Sequence, residues 1–400
     1  MRILCLTHNF PYPPEKDGQT LIAYYLLKQL ASRHQITLFS FSDQSDCVNE
    51  HRFTDLGIAV RLFRRPQRRL WAYYLSRWPR RLAWFQYRLF DPAMLAAITE
   101  ADHNGAYDII YIHAPGVSGY INQITQTPVV YASIDAMSAW FDQFNQAESN
   151  LLKRYHYARE RDRSIRMEKE TLPRVAAVTV VSDVDRDLIA NHSPGSRIVT
   201  IPNGVDLDFF RPSNTPADTN LIAFSGTMNY PANVRAVLDF NKDTWPQLKK
   251  ANPDLHWLIV GKNPTLEIFE LQSTDRRITV TGYIKDVRTF LWRSAVYVSP
   301  LQFGTGFKNK IIEAMACGKA VVASPISLSG FPVTDGVNVM VARTPDEFYA
   351  KTLQLMHDVN LRHNLEIAAR SFAERYSWSR TANAYEQLFQ QVIVARHSSR

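Results

Sequence analysis

A chain of 400 residues is long enough for two ordinary domains, each with its own core, and its 46% hydrophobic and 21% charged residues are those of a soluble globular protein. No run of about 18 uncharged apolar residues occurs, so no bilayer-spanning segment is predicted, and Cys5, Cys47 and Cys317 are too scattered for a disulfide framework or a zinc site. The formal charge of +8 favours an anionic partner: nucleic acid, a membrane surface or a phosphorylated ligand. The opening MRILCLTHNFPYPP has an apolar run too short for a signal peptide and no small-residue cleavage site, so it reads as a first strand in a cytoplasmic protein.

In chain order, Arg2 to Leu6 is a β run, followed by a loop with Pro11, Pro13, Pro14 and Gly18 and a helix from about Thr20 to Ser32. His34 to Phe41 returns as a strand. This is a Rossmann-like opening, but it lacks GxGxxG and with it a dinucleotide fingerprint. Gly18 is either a turn residue or a point of close backbone approach to a ligand, because loops after the first parallel strand face the crevice. Residues 61–90 hold nine arginines, nine aromatics and no acid. Three readings stand: an interfacial segment on anionic lipid, core packing with snorkelling arginines, or a nucleic-acid surface, the last with no accompanying binding motif.

Tyr107 to His113 is a buried strand with His113 at its carboxyl end, and Val129 to Ser133 is the next, followed by Asp135 as acceptor ligand or helix cap. Residues 141–174 read as a solvated helix around Leu151, Leu152, Tyr155 and Tyr157. Val175 to Asp183 and Arg197 to Ile201 are strands, and Pro202-Asn203-Gly204-Val205-Asp206 turns into a polar linker. The second half opens within Leu221 to Tyr230 with a strand ending in Gly226-Thr227, a loop that offers backbone N–H groups to phosphate before a helix around Val234 to Phe240. Trp257 to Gly261 and Ile278 to Gly282 follow as strands, and a terminal helix from about Ala382 to Arg396 closes the chain.

The chain is organised around Ala295 to Ser324. Val296 to Ser299 is a strand, Gly304-Thr305-Gly306 a loop, Lys308 to about Ala316 a helix with one apolar face, Gly318 its stop, and Ala320 to Ala323 a strand. A glycine loop feeding a helix amino terminus suits phosphate, and Lys308 and Lys310 add charge there. Glu313 lies about 6–8 Å along the helix, at 1.5 Å per residue, which is about the distance from a pyrophosphate to its ribose. It either accepts from ribose hydroxyls or pairs with Lys310 one turn back.

The stretch GTGFKNKIIEAMACGKAVVAS, with PNGVD before it, resembles the donor-nucleotide signature of the retaining GT-B glycosyltransferases of the GT4-like family, glycosyl transferases group 1. That resemblance implies an α/β, GT-B fold, two Rossmann-like domains facing each other across a cleft: residues 1–201 for the acceptor, 202–383 for the donor, and the helix from about 384 packing back on the first domain. It implies ribose binding by Glu313, donor contacts from Gly226, Thr227, Thr305, Gly306, Phe307, Lys308 and Asn309, and a grip on the base by Gly282 and Tyr283. Many members carry a second glutamate where this chain has Thr305, and an arginine and lysine where it has Thr227, Met228 and Asn229, so part of the diphosphate role passes to Lys308. His113 begins the family's H-x-P and is expected near the transferred sugar; Gly18 and Asp135 are expected on the acceptor. No Asp-x-Asp occurs, so neither metal nor cofactor is expected.

The implied reaction moves a sugar, with retention, from a nucleoside-diphosphate sugar to a glycan or lipid-linked acceptor in polysaccharide or glycoconjugate synthesis, in the cytoplasm or peripherally on the inner membrane face through residues 61–90. The alternatives are a GT-B nucleotide-sugar epimerase and a non-catalytic nucleotide-sugar or membrane-binding module.

Overall fold

Strands such as Leu4 to Leu6 and Ile109 to Ile112 are apolar on both faces, the pattern of parallel strands covered by helices on both sides. In the computed structural model, which describes residues 1–43, 49–75 and 82–398, these runs assemble two all-parallel sheets. The first contains β1 (Arg2–Thr7), β2 (Gln35–Ser42), β3 (Ala59–Arg64), β4 (Ile109–His113), β5 (Val129–Ile134), β6 (Ala177–Val180) and β7 (Ile198–Thr200), in the order 3-2-1-4-5-6-7. The second contains β8 (Asp218–Ser225), β9 (His256–Val260), β10 (Ile278–Val280), β11 (Ser294–Ser299), β12 (Ala320–Ala323) and β13 (Met340–Val341), in the order 10-9-8-11-12-13. Both are doubly wound. Each reverses direction of travel between its first and fourth strands, so its ligand crevice opens beyond the carboxyl ends of β1 and β4, or of β8 and β11.

Five helices bear on function: α1 (Gly18–Ala31), α2 (Leu151–Thr171), α3 (Pro231–Asp243), α4 (Asn309–Ala316) and α5 (Trp378–Ser398). The first unit comprises Met1–Gly204 and Trp378–Arg400, the second Val205–Ser377. Each has its own apolar core, around Leu6, Ile112 and Tyr131 in the first and around Phe224, Trp257 and Val296 in the second. Helix α5 belongs to the first unit from its first residue: Trp378 stacks on Tyr25 of α1 at 5.1 Å, and the Tyr385 hydroxyl meets Thr179 of β6 at 3.0 Å. The sequence placed this return later, near 384, because the aromatic anchor at Trp378 precedes the helical periodicity.

Two expectations change. Residues 141–174 form two helices, and α2 is solvated only in part, because it buries Glu160, Arg163 and Glu168. The Glu160 carboxylate accepts from the Tyr73 hydroxyl at 2.9 Å and from the Trp84 backbone N–H at 2.6 Å and pairs with Arg163 at 2.9 Å, tying Tyr73 and Trp84 to α2. Among the described residues of 61–90, Phe63, Tyr73, Ala83, Gln86, Tyr87 and Leu89 are buried and so structural. Arg68 donates to the Phe90 carbonyl at 2.9 Å and covers the Tyr87 ring, while Arg65 turns inward to Asn9. Cys47 and Trp78 lie outside the described residues.

Candidate active site

In the second unit the site is built where β8 and β9 end on glycines. A Cβ on Gly261 would lie 1.7 Å from the Gly226 carbonyl oxygen, so only glycine lets these two turns touch, and the Gly226 N–H donates to Val260 at 3.0 Å. The strand, expected to end at Gly226-Thr227, ends at Ser225, and residues 226–230 form the loop leading into α3. Asn233, in the first turn of α3, donates to the Thr227 carbonyl at 3.0 Å. Thr227 is partly exposed on this loop.

From β11 the chain passes through Gly304 and Gly306, at φ 124° and 76°, into α4. Lys308 is the residue before the helix, and its ammonium turns back onto its own loop, donating to the carbonyls of Gly304 (3.2 Å), Thr305 (2.6 Å) and Gly306 (2.7 Å). Lys310 crosses to α3: its ammonium donates to Asn233 Oδ1 at 2.7 Å and lies 4.2 Å from the centre of the Phe224 ring. Burial, with the charge of Lys308, holds it well below the usual lysine range, against the pull of Glu313. Between α3, the glycine loop and α4 lies a cavity of about 210 Å³, lined by Tyr230, Asn233, Thr305, Lys308, Asn309 and Lys310. It sits at the β8/β11 switch point.

Glu313 follows one turn into α4. It is partly buried, and burial pushes its carboxyl up to about 7 against the favourable charge of Lys310. The Lys310 ammonium gives its 2.7 Å bond to Asn233 Oδ1 and acts on Glu313 through its charge. Thr305 Oγ1 is buried with no hydrogen-bond partner in the structure. Phe307 departs from its expected donor role as a side chain: its ring packs 4.2 Å from Phe331 and 5.8 Å from Tyr376, inside an aromatic cluster. Gly282, at φ 66°, and the exposed Tyr283 follow β10, two strands from β8.

In the first unit His113 ends β4, in register with Thr7 of β1, but the structure closes its ring away. It is 1% exposed, with Nδ1 2.9 Å from the Tyr111 hydroxyl and Nε2 2.9 Å from the Gln19 carbonyl. A carbonyl only accepts, so Nε2 carries the proton and Nδ1 accepts from Tyr111. Burial lowers its pKa to about 4, which keeps the ring neutral. The ring ties β4 to the first turn of α1. Gly18 opens that helix, exposed, with nothing within 4 Å of an added Cβ. Asp135 follows β5, where Ala136 and not Asp135 is the N-cap of helix Met137–Ala147.

Sequence reasoning passed over a polar cluster beside His113. His8 follows β1 with Nδ1 buried and unpartnered and its pKa lowered to about 3 by burial, while Asn9 bonds to Arg65 and, at 3.3 Å, to Asp17. Gly261 and Asn233 were passed over as well. A glycine closing β9 as Gly226 closes β8 was the available signal for the former. Among the described residues no group of three or more His, Cys, Asp or Glu is gathered as for a metal ion, and no helix is long and apolar enough to cross a membrane.

Residues 16–209 match the family Glycosyltransferase Family 4, and residues 219–358 match Glycosyl transferases group 1. The chain belongs to these glycosyltransferases. It is similar to phosphatidyl-myo-inositol mannosyltransferase of Mycobacterium tuberculosis, 26% identical over 324 residues that make up 76% of this chain and 79% of the relative. Among solved structures, sucrose-phosphate synthase of Thermosynechococcus elongatus superimposes with a TM-score of 0.74 at 18% identity, over 99% of this glycosyltransferase and 100% of that chain. Anabaena HepE in complex with UDP does so with a TM-score of 0.69 at 15% identity, over 98% and 100%. The glycosyltransferase thus has the GT-B class of fold, with two Rossmann-like units.

Proposed function

We propose that this glycosyltransferase takes a nucleoside-diphosphate sugar into the cavity at the head of α4 and transfers its sugar, with retention, to a hydroxyl of a glycan or lipid-linked acceptor held by the first unit. The observation that carries the reading is the arrangement along α4: a glycine loop and helix amino terminus facing a lysine-lined cavity, with the carboxylate of Glu313 one turn further on. Diphosphate at the loop and ribose at Glu313 match that spacing, the backbone of Gly226 and Thr227 flanks the phosphates, and Gly282 and Tyr283 serve the base. UDP in HepE and the phosphatidylinositol acceptor in the mannosyltransferase's name support the substrate classes.

Departure of a nucleoside diphosphate builds negative charge on the pyrophosphate, and the lysines and the helix dipole of α4 supply the positive charge that meets it without a metal ion. With Thr305 where many members have a carboxylate, no acid stands in that position to form a glycosyl intermediate. Retention then comes from front-face attack by the acceptor hydroxyl, guided by the departing phosphate. Gly18 and Asp135, at the carboxyl ends of β1 and β5, serve the acceptor.

The test is thermal stabilisation by a panel of UDP, GDP, ADP, CDP and dTDP, followed by the anomeric configuration of the product. A cognate diphosphate at 100 times its Kd should add about 2.7 kcal/mol. No stabilisation by any of the five would overturn the donor site, and an inverted product would overturn retention. A peripheral site on the inner face of the cell membrane is part of the proposal, favoured by the exposed Trp71, Tyr74, Leu151 and Leu152.

A further inference from the structure

The two lysines at the head of α4 are not equivalent. An ammonium has three donors, and Lys308 directs its own at three carbonyls of the loop that precedes it. Its charge is engaged in holding Gly304, Thr305 and Gly306 in their turn. Lys310 differs in each respect. One of its donors goes to Asn233 Oδ1, its ammonium lies over the Phe224 ring, and the residue lines the cavity.

Asn233 is itself fixed. Its Nδ2 donates to the Thr227 carbonyl, which leaves Oδ1 pointing at Lys310, and Gly226 provides the room: a Cβ there would stand 2.7 Å from Nδ2. The amide therefore links the loop after β8 to the lysine of α4. That loop has no cation of its own, since Thr227, Met228 and Asn229 occupy it. A positive charge reaching it from α4 faces phosphates lying between the loop and the helix.

Resting on the donor-site reading above, we propose that Lys310, positioned by Asn233, is the cation that binds the donor diphosphate and stabilises it as the leaving group, while Lys308 shapes the loop. The groups facing Lys310 agree with this. Burial holds its pKa well down, Lys308 disfavours its charge and Glu313 favours it. A diphosphate adds counter-charge to that of Glu313, and no step other than charge neutralisation is asked of the lysine.

The experiment is calorimetric titration of the full chain with the diphosphate that stabilises it, and with the matching nucleoside, for wild type, Lys310→Met, Lys310→Arg, Lys308→Met and Asn233→Ala. Lys310→Met should lose about 10–100-fold in affinity for the diphosphate, the usual range for a charge-assisted bond, and none for the nucleoside. Lys310→Arg should recover part of the loss, and Asn233→Ala, which frees the lysine from its anchor, should give a smaller loss of the same kind. An unchanged ratio of diphosphate to nucleoside affinity in Lys310→Met would overturn the assignment, as would a larger drop in that ratio for Lys308→Met. Wild type that binds none of the diphosphates would instead overturn the donor-site reading on which the assignment stands. Should Lys310→Met fail to fold, Asn233→Ala decides: an unchanged ratio there overturns the proposal.

Discussion

Glu313, proposed above to hold the ribose, is a carboxylate whose burial costs the fold something. Its carboxyl ordinarily titrates near 4.5, and in the structure burial raises it to about 7, with Lys310 opposing the shift and Tyr297 and Cys317 feeling its charge. A folded-state pKa above the unfolded one means that the native state holds the proton more tightly. The resulting stabilisation is complete below pH 4.5 and is lost as pH rises through 7. Glu313→Gln should abolish that loss, so the variant melts above wild type at pH 8 but not at pH 4.5. Its affinity for the cognate nucleoside diphosphate should fall by about 10–100-fold, because two ribose hydroxyls lose a charged acceptor. Melting curves at the two pH values with a titration at pH 8 check both; a variant less stable than wild type at pH 8, or one that binds equally well, removes the ribose role. The place of Glu313, one turn into α4, was legible in the sequence because it depends on helix spacing alone. The bonding of Lys310 to Asn233 was not, since the partners are 77 residues apart and meet only after β8 and β11 pair. Nor was the closure of the His113 ring, which depends on the Gln19 carbonyl, 94 residues away.

At the scale of elements, the βαβ unit around α4 was readable almost residue by residue: the helix expected from about Lys308 to Ala316 runs from Asn309 to Ala316, between strands at the expected places. Local periodicity and glycine punctuation are enough there. The Gly226-Thr227 loop after β8 was readable, but its contact with Gly261 after β9 was not, because two backbones meet there without any side-chain signal. Gly261→Ala puts a methyl 1.7 Å from the Gly226 carbonyl, and no flexible side chain is present to yield. The two turns must separate, at a cost on the order of 2–4 kcal/mol, and the Thr227–Asn233–Lys310 link goes with them. A lowered melting midpoint together with lost nucleotide binding is expected. Gly18→Ala is the contrast, since nothing lies within 4 Å of its added Cβ. Its stability should stay within about 0.5 kcal/mol of wild type, and transfer should fall only if ligand approaches that backbone. Wild-type melting and binding in Gly261→Ala would show that the turns have slack which the contact denies.

For the whole molecule the open matter is where its charge goes, and the structure redraws the surface that composition suggested. Much of residues 61–90 is packed inside the first unit, yet Leu70, Trp71 and Tyr74 remain exposed, and so do Leu151, Leu152 and Tyr155 on the first turns of α2. The two groups adjoin, because the Tyr74 hydroxyl meets His156 Nδ1 at 2.6 Å and Arg159 bonds the Tyr155 hydroxyl at 2.8 Å. Arg64, Arg69, Lys153, Arg154 and Arg159 are exposed on the same segments. Aromatic rings and leucines rimmed by cations suit the headgroup depth of an anionic leaflet, each cation contributing about 1 kcal/mol through a field that salt screens. Vesicle binding should therefore need anionic lipid and weaken as salt rises. Replacing Arg64, Arg69, Lys153 and Arg154 by glutamine should weaken it by roughly a thousandfold. Arg65 and Arg68 are left out because they are tied to Asn9 and to the Phe90 carbonyl, where replacement would test folding and not binding. Trp71→Ser with Leu152→Ser should also weaken vesicle binding, but by a factor that salt leaves alone, since apolar burial is unscreened. Nucleotide binding in the second unit serves as the control and should be unchanged in both variants. Equal partitioning onto neutral and anionic vesicles, or none onto either, would remove the membrane and leave these residues to a soluble acceptor or to packing alone.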